Sequence, residues 1–239
     1  MIPAAPPTGP DDRPRRSVRS FVLRAGRLTA AQERALTELW PAYGIDYAPQ
    51  ILDLDAVFQR SAERLLEIGF GTGDALAAYA LAHPDVDCIG VEVHRSGVGQ
   101  LLLRAHTEGI RNLRVICHDA VEVLERQLPE SGLTAIHIFF PDPWPKKRHH
   151  KRRLIQPAFV ERLLRALKNG GELRLATDWQ PYAQHMLEVL QQFPSLENVA
   201  GDALYVERNA ERPVTRFERR GQRLGHDVWD LAFRKRSVS

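Results

Sequence analysis

The chain reads as an α/β protein: a doubly wound, mostly parallel sheet with an antiparallel C-terminal edge strand. Three observations predict this. Between residues 63 and 193, short apolar runs alternate with amphipathic stretches, as repeated strand–loop–helix units require. One run, TAIHIFF (134–140), is apolar on both faces, as expected for a central parallel strand. After residue 200 the character changes. An extended segment near Ala203–Val206, a polar basic loop and a last strand, VWDLAFRK, read as a pair of strands closing the sheet edge around a long functional loop.

The elements follow in order. Thr29 to Trp40 is a helix: Thr29 and Gln32 make a capping box, Leu36, Leu39 and Trp40 form an apolar stripe, and Pro41 stops it. ERLLEI (63–68) is the first strand, GFGTG its loop, and DALAAYALAH a helix ended by Pro84. DCIGVEV (87–93) is the second strand, followed by a helix over 96–108 that closes at Gly109. NLRVICH (112–118) is the third strand, with a short helix, AVEVLERQL, behind it. After the fourth strand, TAIHIFF, a helix over 156–169 carries Phe159, Val160, Leu163, Leu164 and Leu167 on one side and ends at Gly170-Gly171. ELRLAT (172–177) is the fifth strand, and a helix begins at Pro181.

At 239 residues there is length for one large domain with its own core, expected over 21–239 behind a flexible basic tail, 1–20. No window reaches the length of a membrane span, and the Pro-rich N-terminus has no apolar core of a secretory signal. Cys88 and Cys117 fall in predicted strands without CxxC spacing and read as small buried hydrophobes in a reducing cytoplasm. The formal charge of +3 hides an asymmetry. Six Lys or Arg crowd into 146–153, and six Arg stand against two Asp in 1–27, so the rest of the chain is net negative. Positive charge concentrated in this way is the footprint of nucleic-acid binding.

The first strand and its loop read Glu67-x-Gly69-x-Gly71-x-Gly73. Glycines are needed where backbone turns sharply and a ligand approaches it closely. A dinucleotide turn starting at Gly69 requires glycine at position 74, where this chain has Asp74, so a NAD-dependent dehydrogenase is disfavoured. The E-x-G-x-G-x-G form is that of Rossmann-like methyltransferases that use S-adenosylmethionine. Glu67 would attract the cationic methionine portion, Glu92 at the end of the second strand is placed to accept from ribose hydroxyls, and Asp119 after the third strand to bind an adenine amino group. Helix capping or strand termination is the competing role for Glu92 and Asp119.

The fourth strand delivers Pro141-Asp142-Pro143-Trp144, with Asp142 held between two prolines that fix φ and an exposed tryptophan beside it. The segments LLEIGFGTG, GVEVH, CHDAVEVL, FFPDPWPKKRHHKRR, ATDW, PYAQHMLEVL and RPVTRFERRG together resemble the bacterial tRNA (guanine-N7-)-methyltransferase family, from about Ser20 to Lys235. The resemblance implies S-adenosylmethionine as donor and, as acceptor, the guanine at position 46 of the tRNA variable loop. It implies that Glu67, Glu92, Asp119 and Asp142, with Gly69 of the glycine loop, meet the cofactor and that Asp142 is the catalytic residue. It places Lys146, Asp178 and Thr215, Arg216, Phe217 and Glu218 on the substrate, and Arg148, His149, His150, Lys151, Arg152 and Arg153 on the RNA. Asp178 has a competing role as a cap for the helix that starts at Pro181. Alternative readings keep the chemistry on another RNA or a DNA base, or keep only RNA binding on the same fold. No metal is expected: His149 and His150 are adjacent, their side chains diverge in an extended segment, and no Cys or acidic residue has ligand spacing. Nothing in the pattern favours a monomer over a homodimer.

Overall fold

Leu65, Leu66 and Ile68 are buried along Glu63–Ile68 (β1), so this strand needs cover on both faces. A computed structural model describes residues 20–21, 28–208 and 227–237 and supplies that cover. Among the described residues, β1, Val86–Val91 (β2), Leu113–Ile116 (β3), Leu133–Phe139 (β4), Leu167–Thr177 (β5), Leu196–Asn198 (β6) and Trp229–Lys235 (β7) form one sheet, ordered β3-β2-β1-β4-β5-β7-β6. The pairs from β3 through β5 are parallel, and β7 is antiparallel to both β5 and β6.

Two apolar layers cover the sheet. Leu65, Cys88, Leu113 and Val115 pack with Ala30–Glu38 (α1), Asp74–Ala82 (α4) and Arg95–Thr107 (α5). On the other face Leu66, Ile68, Ile136 and Ile138 pack with Leu54–Phe58 (α3), Ala120–Arg126 (α6), Pro157–Ala166 (α7) and Gln180–Leu190 (α8). This two-sided burial of parallel strands is the doubly wound arrangement expected from the alternating pattern. The strand order reverses between β1 and β4, where a crevice opens beyond the strand C-termini.

The sequence reading is corrected in four places. Pro41 does not end helical structure: it lies inside a second short helix, Trp40–Tyr43 (α2), because proline is tolerated in a first turn. The helix expected to reach Asn169 stops at Ala166. Leu167 is already extended and pairs with Leu133, since its fully buried side chain is better placed in the sheet. Gly170, at φ +77, then lets β5 bulge, and Lys235 Nζ donates to the Leu164 and Leu167 carbonyls near the helix end. The strand pair at the C-terminal edge is β7 with β6; Val206 contributes an isolated bridge to Asp230. The segment containing His149 and His150 is a 3₁₀ turn, Lys147–Arg152, rather than extended chain.

The glycine loop is fixed from outside. A Cβ at Gly97 of α5 would meet the Gly71 carbonyl oxygen at 2.1 Å, so helix and loop touch through bare backbone. Alanine is favoured over glycine in helices by about 1 kcal/mol, but overpacking against immobile backbone costs about 1–3 kcal/mol. The clash should win. Gly97→Ala is expected to lower the thermal midpoint and weaken cofactor binding at least tenfold by calorimetric titration; a stabilised variant with wild-type affinity contradicts this packing.

Candidate active site

Gly69, Gly71 and Gly73 have φ of +71, +58 and +78, conformations that L side chains rarely adopt. Cβ atoms at Gly69 and Gly71 would face open space. The same two residues line a cavity of about 260 Å³ with Ile68, Glu92, Val93, His94, His118, Asp119, Phe139–Asp142 and Leu154. Successive strand ends thus supply its wall: β1, β2, β3 and β4.

Glu92 is 6% exposed and anchors the loop. One carboxylate oxygen accepts from the Val93 and His94 amides at 2.7 and 2.9 Å, and the other from the Gly71 amide at 2.9 Å. A carboxylate has about four acceptor positions, so one remains on the oxygen that holds Gly71. Glu92 therefore has both an anchoring role and capacity for one further donor. Asp119 combines roles as well: it caps α6 by accepting from Val121 N at 3.0 Å and lines the cavity. Its neighbour His118 stacks on Tyr47, ring centroids 3.6 Å apart, and pairs with Glu122 at 2.6 Å. These residues fit an adenosyl group: bare backbone for close approach, a carboxylate with an acceptor position left and an aromatic ring, His118, beside Asp119. Glu67 is placed differently. It is 3% exposed on the sheet face covered by α4 and α5, and it is absent from the cavity lining among the described residues.

At the lip, Phe140 turns the chain with φ +52 and donates its amide to Ala176 O at 2.8 Å. Asp142 follows, exposed and lining the cavity. Trp144, expected to be exposed, is half-buried: φ is +43, its Nε1 donates to Ser20 O at 2.9 Å, and the Arg152 guanidinium lies 3.8 Å from its ring centroid. Arg152 also donates to Phe21 O at 3.1 Å, so the loop clasps the Ser20–Phe21 segment over the cavity. Lys146, Lys147, Arg148 and Lys151 are exposed along the 3₁₀ turn. His149 is half-buried beside Trp144. Its imidazole is pushed below the ordinary value, by desolvation first and then by Arg148, Arg152, Lys146 and Lys151. Arg153 departs from the expected RNA-facing row. It is 4% exposed, because its guanidinium is turned inward toward Pro143, His150 and Tyr182. Asp178 is half-buried; the helix after it starts at Gln180 with Trp179 as cap residue and no side-chain cap bond, so Asp178 does not serve that purpose. Thr215, Arg216, Phe217 and Glu218 lie outside the described residues, as does the tail before Ser20.

Residues 61–231 match the family model Methyltransf_4, described as "Putative methyltransferase". A tRNA (guanine-N(7)-)-methyltransferase of Thiobacillus denitrificans is 58% identical over 224 residues, 94% of this chain and 97% of that protein. One from Shewanella amazonensis is 56% identical over 220 residues, 92% of each. The chain belongs to the tRNA (guanine-N7-)-methyltransferase family. Its fold is also that of the 16S rRNA methyltransferase KamB, with TM-score 0.54, 15% identity and coverage of 79% of this chain and 95% of that one.

Sequence reading missed part of the site. Ser20 and Phe21 line the cavity although they fall at the edge of the expected tail. The basic run RRSVRS gave a signal for RNA, but none for a cavity wall. His118 and Tyr47 were missed because their contact joins segments far apart in sequence.

The Glu92 geometry yields a test. Glu92→Gln turns an acceptor toward two amides or toward one, never all three, and leaves a donor facing a donor. An unsatisfied buried group costs about 1–3 kcal/mol. The variant should lose about tenfold or more in cofactor affinity and show a lower thermal midpoint; unchanged affinity by calorimetric titration would remove Glu92 from the site.

Proposed function

We infer that this chain transfers a methyl group from S-adenosylmethionine to N7 of a guanine in tRNA, at position 46 of the variable loop. The observation that carries this reading is the placement of Asp142: it borders the glycine-loop cavity and is followed five residues later by a turn carrying exposed cations. The cofactor, when bound, supplies an electrophilic sulfonium methyl. Gly69 and Gly71 give it backbone without side chains, Glu92 has one acceptor position for a ribose hydroxyl, and Asp119 lies where the adenine would be read.

N7 of guanine carries a free lone pair at neutral pH, so little general-base chemistry is needed. The demand is in-line alignment, a positioning problem. Asp142 orients the base and stabilises the positive charge that develops on its imidazole ring. Asp178, not used as a helix cap, is available to the guanine N1–H and amino group. The family resemblance supports a substrate-contacting role for Lys146 and for Thr215, Arg216, Phe217 and Glu218, the last four of which lie outside the described residues. Arg148, His149, Lys151 and the half-buried Arg152 face the phosphates, while the described residues contain no helix long and apolar enough to cross a membrane.

Incubation with labelled S-adenosylmethionine and unmodified tRNA, followed by nucleoside analysis, should yield 7-methylguanosine. Label in any other nucleoside overturns the reading. Asp142→Ala is expected to lower turnover by at least about a hundredfold, within the range of a lost electrostatic stabiliser, with tRNA affinity nearly intact; near-wild-type turnover removes Asp142 from catalysis. Desolvation first, and then the neighbouring cations, hold the His149 imidazole below its ordinary value; phosphates docking beside it would offset the cationic part. Binding then takes up a proton, so tRNA affinity should rise as pH falls from about 8 to 6. Dissociation constants across that range should show this slope for the wild type and a flatter one for His149→Gln.

A further inference from the structure

Arg153 belongs to the cationic run by sequence and to the interior by structure. Its Nε donates to Pro143 O at 3.0 Å, one residue after Asp142. A terminal nitrogen lies 3.2 Å from His150 Nε2, and the guanidinium carbon lies 5.0 Å from the Tyr182 ring centroid. Tyr182 is fully buried in α8, and its hydroxyl accepts from the Ile155 amide at 3.3 Å. His150 is held in turn from the other side, where Gln156 Nε2 donates to His150 O at 3.1 Å. The guanidinium thus joins three bodies: the Asp142 loop, the 3₁₀ turn that carries the cations, and the helix layer beneath the sheet.

We propose that Arg153 is a positioning residue for methyl transfer, holding the Pro141–Pro145 loop, and through it Asp142, against the donor cavity rather than binding RNA. The proposal rests on the reading of Asp142 as the group that meets the base. Three features support it. Burial denies a phosphate access to the guanidinium. Proline at 143 has no amide hydrogen, so its carbonyl is the polar group by which that residue can be held. The planar fork can donate in one direction while lying against a ring, which an ammonium cannot reproduce. The arrangement also helps a loop with Trp144 in the left-handed region keep a single shape: its carbonyl at 143 finds a partner in the Arg153 guanidinium behind it.

Arg153→Lys separates this role from RNA contact, because it keeps the charge and loses the fork. Single-turnover methylation at saturating tRNA should fall at least thirtyfold. The tRNA dissociation constant and its salt slope should stay within twofold, as should cofactor affinity. In an Asp142→Asn background the same substitution should add less than twofold, since a residue acting through Asp142 has nothing left to place. A wild-type rate in Arg153→Lys overturns the proposal, as does full multiplication of the two losses, or a weaker salt slope with the rate intact. His150→Ala, at the half-buried surface, tests the chain of contacts without emptying the interior. It should slow the step severalfold at unchanged tRNA affinity; lost affinity with an unchanged saturated rate would return this corner to RNA binding. Wild-type product is read first in the same assay. Absence of 7-methylguanosine there would remove the functional reading itself, whereas active wild type with fully active Arg153→Lys removes this inference alone.

Discussion

Two aromatic residues in left-handed backbone bracket the candidate catalytic aspartate. Phe140 and Trp144 have φ of +52 and +43, and each such non-glycine residue costs on the order of 1–2 kcal/mol. That conformation persists only if the surroundings over-determine it. The restraints are visible: the Phe140 amide on Ala176, the Trp144 indole on Ser20, the Arg153 guanidinium on Pro143 and the Arg152 guanidinium on the Trp144 ring. A net hydrogen bond contributes about 1 kcal/mol, so this set is of the size needed to offset the strain. The prolines narrow the alternatives further.

The run of cations divides into three uses. Lys146, Lys147, Arg148 and Lys151 are exposed and form the outward field. Arg152 is half-buried and shared, bound to Trp144 and to the Phe21 carbonyl. Arg153 is internal. A phosphate approaching Arg152 competes for a group that also helps close the cavity around Ser20 and Phe21, so RNA docking and the shape of the donor site meet in one side chain. The number of cations exposed to a phosphate is therefore smaller than the number of Lys and Arg that composition counts in the run. Salt dependence follows the first quantity.

Much of the fold was legible because its signals are local. The β1 boundaries, the Thr29–Gln32 capping box and the left-handed turn at Gly109 follow from period, cap chemistry and glycine. Glu92 and Asp119 line one cavity with the glycine loop because strand ends in this architecture converge. The errors share a different cause. Leu167 leaves its helix because a neighbouring strand offers better burial, and Arg153 leaves the surface because Tyr182 and Pro143 receive it. Neither partner is near enough in sequence to influence a local pattern. Strand alternation turns Glu67 toward the α4 and α5 face while Ile68 meets the cavity.

The spacing between the glycine loop and the Asp142 loop is set by the sheet rather than by either loop. β1 and β4 are adjacent and parallel, and Ile68 stands opposite Ile138. Gly69 therefore begins its turn level with Phe139, across one strand spacing of about 4.8 Å. The glycine loop is then stapled by Glu92 and pressed by Gly97, while the Asp142 loop is stapled by Ala176 on the next strand and by Arg153 beneath it. Each loop is flexible by composition and fixed by neighbours, and both take their height from the same pair of strands. A reaction that needs alignment more than proton transfer is served by this arrangement. An error in either loop would displace Asp142 relative to the glycine loop, and the sheet register is the part of the molecule least able to drift, since a slip of one residue would turn Leu66, Ile68, Ile136 and Ile138 out of their core.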